Sequence, residues 1–93
     1  MQFVIHCLDK PNSKELRLAT RPAHLAYIEG SSIELVMAGP LLSADGADML
    51  GSLFVIEAND LGEAQRFSKS DPYRKAGLFV RVEIHPFRKL FPR

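Results

Sequence analysis

Tryptophan is absent from this 93-residue sequence, and cysteine occurs once, at Cys7. A lone cysteine excludes an intrachain disulfide and a thiolate zinc cage. With no secretory leader at its start, the chain is expected in a reducing, cytoplasmic compartment. No uncharged apolar run approaches the roughly 18 residues that a membrane helix needs, so no membrane partner is expected. The sequence also has neither a G-x-x-x-x-G-K-[ST] phosphate loop nor a G-x-G-x-x-G turn, and nothing spells a nucleophile elbow. His6, His24 and His85 are scattered, without an i, i+4 pair or a ligand spacing with carboxylates, so neither a cofactor nor a metal site is expected.

What remains is the material of an ordinary folded domain. Hydrophobic residues make up 46% and charged residues 25%, which fits one domain over residues 1–93, too small for separate cofactor and substrate domains. So short a chain buries only about 60 to 65% of its unfolded surface, and outside support for the core is therefore expected. The net charge of +1 hides an asymmetry: six basic residues stand between Arg74 and Arg93 against Glu83 alone, leaving six basic and ten acidic residues elsewhere. These charges are spread along a strand and a tail, with no RNA-binding aromatic signature, so no nucleic-acid partner is expected.

Gln2 to Leu8 is β-branched and aromatic-rich and runs into Asp9-Lys10-Pro11-Asn12-Ser13, which predicts a strand and a loop. Ser13 to Glu29 predicts a helix with Leu18, Leu25 and Ile28 in its inward stripe. Pro22 should break it into a short first piece and a restart near Thr20 or Arg21. Ile33 to Leu42 predicts a strand kinked at Gly39-Pro40, Ser43 to Met49 a polar loop, and Gly51 to Ala58 a third strand. Asp60 with Glu63 has the form of a capping box opening a helix through Lys69, which Ser70-Asp71-Pro72 ends. Leu78 to Ile84 predicts a last strand with Val80, Val82 and Ile84 on one face.

The order βαββαβ predicts an α+β ferredoxin-like plait, a four-stranded antiparallel sheet with both helices on one face. Leu53 and Val55 oppose Phe54 and Ile56, and Val4 and Leu8 oppose Phe3, Ile5 and Cys7, so both sheet faces are apolar. Two helices cover only one face, and a homodimer through the other is expected. Cys7, mid-strand, is read as a small buried hydrophobe.

His24 falls at the border of the helix stripe, next to Leu25 in angle and one turn after Arg21, where an imidazole is half buried and still reaches a cleft. Asp71, before a proline, has a local reason to exist as the cap of a turn.

Arg21-Pro22-Ala23-His24-Leu25, Ala38-Gly39-Pro40, Ser70-Asp71-Pro72-Tyr73 with Ala76-Gly77, and His85-Pro86-Phe87-Arg88-Lys89 together resemble the successive signatures of the YCII-related family. The resemblance covers nearly the whole chain, which is shorter than the family pattern between Gly30 and Ile33 and between Ser43 and Gly51. It implies a dimeric α+β barrel, whose ferredoxin-like sheets pack face to face. It also implies an active-site pair at His24 and Asp71, in a family of which a few members act on chlorinated or hydroxylated rings. In such a pair the carboxylate holds one imidazole nitrogen and leaves the other as general base or acid. Arg21 then supplies positive charge for an acidic substrate, and Ser70 and Tyr73 are candidate pocket hydroxyls. The expectation is cofactor-free proton transfer, as in an isomerase, lyase or dehalogenase, on an unknown small, acidic, cyclic ligand. The alternative is a non-catalytic binding or accessory module in which His24 and Asp71 form a structural hydrogen bond.

Overall fold

The computed structural model describes residues 1–93. Strand β1 (Gln2–Asp9) leads into helix α1 (Lys14–Gly30), the hairpin of β2 (Glu34–Leu42) and β3 (Met49–Glu57), helix α2 (Leu61–Lys69), a short α3 (Pro72–Lys75) and β4 (Phe79–Phe87). The sheet order is β2-β3-β1-β4 with every neighbouring pair antiparallel. Each helical crossover therefore skips one strand, which is the split βαβ arrangement of a ferredoxin-like α+β fold. No helix is long and apolar enough to cross a membrane.

Alternation along the strands builds the core. Phe3, Ile5 and Cys7 of β1 and Phe54 and Ile56 of β3 point toward the helices, where Ala64 and Phe67 of α2 close over them. Burial, then the nearby Asp71 charge, pushes the Cys7 thiol up to about 12, so it packs as an inert hydrophobe. Asp60 caps α2 by accepting from the Glu63 backbone N–H at 2.8 Å, while the Glu63 carboxylate reaches back to the Asn59 N–H, one residue earlier than a standard capping box.

Three local expectations are corrected. Helix α1 runs unbroken through Pro22. The one bond it loses is to the Leu18 carbonyl, on the exposed side of the helix, where an unpaired carbonyl is open to solvent. Leu18 does not face the sheet and is 50% exposed; Leu25, 41% exposed, lines only the rim of the space between α1 and the sheet, and Arg17 is the buried residue of α1. In β4, Val80 is the extra residue of a bulge, because Leu8 pairs with Arg81 while Asp9 pairs with Phe79. The bulge turns Val80 outward and puts Phe79 on the helix side with Val82 and Ile84. Val36 is skipped in the same way in β2, between partners of Ile56 and Val55.

Candidate active site

The inward stripe of α1 is Arg17, Arg21, His24 and Ile28, spaced four, three and four residues apart as one helix face requires. All four line a cavity of about 300 Å³ between α1 and the β2–β3 side of the sheet, which Ser52, Phe54 and Tyr73 also line. Ser52 and Phe54 alternate onto this face with Ile56. Beside them Gly51 brings β3 so near the Cys7 carbonyl that any Cβ there would collide with it.

Asp71 reaches the site through a capping role. It precedes Pro72, which opens α3, and its Oδ1 accepts from the Tyr73 backbone N–H at 2.9 Å. The same oxygen lies 2.8 Å from His24 Nδ1, and the two side chains are only 3% and 11% exposed. A carboxylate cannot donate, so Nδ1 carries the proton of the neutral ring and Nε2 is left bare. The Tyr73 ring stacks on the imidazole at 4.0 Å and 18°, and Phe54 meets it edge-on at 5.9 Å. Hydrogen bond and stack together fix the ring plane.

Arg17 escaped the sequence reading. Its Nε and Nη2 donate to both oxygens of Asp9 at 2.7 and 2.9 Å, and Nη2 also donates to Ser52 Oγ at 2.9 Å. Its guanidinium lies 4.6 Å from the centre of the Tyr73 ring. Burial works against the Arg17 charge, but the bond to Asp9 and the Asp9 charge outweigh it and raise its pKa. Burial pushes the Tyr73 hydroxyl up, partly offset by Arg17 and Arg21. The signal that pointed to Arg17 was its place in register with Arg21 and His24.

Of the residues singled out in the sequence, His24, Arg21 and Tyr73 line the cavity and Asp71 stands directly behind His24. Ser70 does not join them: it is exposed and terminates α2. No group of three or more His, Cys, Asp or Glu side chains is placed to hold a metal ion. A half-buried imidazole with a carboxylate behind it and two arginines on the same helix face is equipped to move a proton on an anionic molecule.

Comparison with known proteins agrees with this fold. Residues 1–88 match the YCII-related domain. Protein YciI of Escherichia coli O6:H1 is 39% identical over 98% of this chain and all of its own length, and a Haemophilus influenzae protein is 36% identical over the same shares. The 5-chloro-2-hydroxyhydroquinone dehydrochlorinase of Burkholderia phenoliruptrix AC1100, solved with 2,5-dihydroxybenzoquinone, superimposes with a TM-score of 0.87. It is 36% identical, over 95% of this chain and 94% of that one. A Nitrosomonas europaea protein at 16% identity, with a TM-score of 0.54 over 98% of this chain and 90% of that one, shares the fold alone. Sequence match, full-length relatives and superposition coincide, and the chain belongs to the YCII-related family.

Proposed function

We propose that the protein is a cofactor-independent enzyme in which His24, held by Asp71, transfers protons on a small, acidic, cyclic molecule. The observation that carries this reading is the 2.8 Å Nδ1–Oδ1 bond, which leaves Nε2 free in a cavity shared with Arg17 and Arg21. The likeness to a dehydrochlorinase supports a hydroxylated, halogenated ring as the substrate class. Loss of HCl from 5-chloro-2-hydroxyhydroquinone balances with one shuttling base and no oxidant. Nε2 takes a ring hydroxyl proton and returns it to the chlorine-bearing carbon. It then takes a second hydroxyl proton as the carbon–chlorine bond breaks and chloride leaves with the electron pair, giving a hydroxyquinone. Asp71 steadies the imidazolium each time it forms.

Chloride release from that compound, measured without oxygen and with a chelator present, tests the proposal. Wild type is expected to exceed the buffer rate, and His24→Asn to lose about 100- to 10,000-fold. Wild-type release at the buffer rate, or an equally active His24→Asn, would contradict it. Asp71 also caps α3, and this gives the structural reading its one specific support. That reading predicts instead a sharp fall in melting temperature for His24→Asn with no turnover to lose.

We further propose that a second copy covers the open sheet face. Val4, Leu8, Leu41 and Leu53 there are only half-buried and Met37 is exposed, although neighbours already cover Val55. Light scattering is expected to give a mass near 21 kDa, twice the chain's 10.4 kDa. A mass near 10 kDa would refute the dimer.

A further inference from the structure

Arg17 and Ser52 are among the most buried polar residues of the chain, 3% and 4% exposed, yet both line the cavity. Asp9 and Ser52 take up Nε and Nη2 of Arg17, which leaves Nη1. Ser52 Oγ accepts from Arg17, so its own hydroxyl proton is a donor with no protein acceptor. Arg21, one turn further along α1, lines the same cavity and pairs with no carboxylate. No Asp or Glu lines the cavity; among its lining groups the Tyr73 hydroxyl is the neutral neighbour of Arg17, and no anion answers these donors. The buried carboxylate that balances Arg17, Asp9, lies outside the lining and fixes the guanidinium plane through both of its oxygens.

We propose that Arg17 Nη1, the Ser52 hydroxyl and Arg21 form an oxyanion subsite that holds a deprotonated oxygen of the ligand while His24 Nε2 faces another position of the same ring. This deepens the function proposed above and rests on it for the ring. Arg17 and Ser52, buried and held in place before the ligand arrives, favour the anion over its neutral counterpart, and Arg21 adds positive charge at the exposed end of the cavity. A cavity of about 300 Å³ is at the small end for ligand pockets and suits a single substituted ring. The subsite therefore selects a ring carrying an acidic hydroxyl, and Asp9 is a positioning residue for it.

Calorimetric titration with 2,5-dihydroxybenzoquinone, doubly deprotonated near neutral pH, against its neutral 2,5-dimethoxy ether tests the proposal. Wild type is expected to bind the dianion, more weakly as salt is raised. Ser52→Ala and Arg21→Gln are each expected to weaken the dianion by about 10-fold or more, in line with loss of a hydrogen bond to a charged group, and to leave the ether within about twofold. Arg21→Gln, at an exposed and unpaired position, should melt close to wild type, which keeps the test clear of the fold even if Ser52 or Arg17 substitutions destabilise the chain. No saturable dianion binding by wild type, unchanged affinity in both variants, or equal losses for dianion and ether would each overturn the subsite. Failure of the catalytic reading would appear elsewhere, as chloride release at the buffer rate with dianion binding intact.

Discussion

Asp71→Ala is expected to lower turnover by about 100- to 10,000-fold and to destabilise the fold, whereas Asp71→Asn should lose much of the turnover and little of the stability. The difference follows from one oxygen serving two donors, the Tyr73 backbone N–H and His24 Nδ1–H. Alanine uncaps α3 at a cost of about 1 kcal/mol and leaves a half-buried imidazole N–H without a partner, adding about 1 to 3 kcal/mol. The asparagine carbonyl still accepts from both. What it removes is the negative charge that stabilises the imidazolium formed whenever Nε2 takes a proton. Thermal melts and chloride-release rates on the two variants separate these effects. An Asp71→Asn enzyme as fast as wild type would show that the charge is not used. Full activity in both variants would make the pair structural.

Asp9→Ala should be the most destabilising single change on this side of the molecule, costing about 3 to 5 kcal/mol. The Asp9 and Arg17 side chains are 7% and 3% exposed, so removing the carboxylate strands a guanidinium that is almost wholly buried. In a domain of this size each kcal/mol is worth about 4 °C or more, which predicts a fall in melting temperature of at least about 12 °C. Replacing both partners with apolar residues, as in Asp9→Leu with Arg17→Met, should recover much of the loss, because neither charge is then left buried alone. Denaturant unfolding of the single and double variants checks both statements. A loss under about 1 kcal/mol for Asp9→Ala would mean that the pair behaves as a solvated surface bridge.

Much of this architecture was legible in the residues. Alternation in Phe3-Ile5-Cys7 and Phe54-Ile56 located the core face, and Asp60 with Glu63 marked the start of α2. The face of α1 was misread for a physical reason. Apolar periodicity ranks Leu18 above Arg17, but Arg17 has Asp9 and Ser52 to satisfy it and is the residue that buries. Partners on β1 and β3 leave no trace in the helix's own pattern. The bulges at Val36 and Val80 were hidden likewise, since each depends on the register of a neighbouring strand. His24 and Asp71 were legible singly, as a border residue and a cap. Only the fold brings residues 47 positions apart to a 2.8 Å contact.

Nitrogen-15 NMR of the His24 ring at mildly alkaline pH tests most directly the claim on which the mechanism depends, because it reads where the proton sits without reference to any substrate. Nδ1 is expected to carry the ring proton, bonded to Asp71, and Nε2 to be bare, with a resonance that moves when 2,5-dihydroxybenzoquinone is added. A ring protonated at Nε2, or an Nε2 resonance indifferent to the ligand, would contradict it.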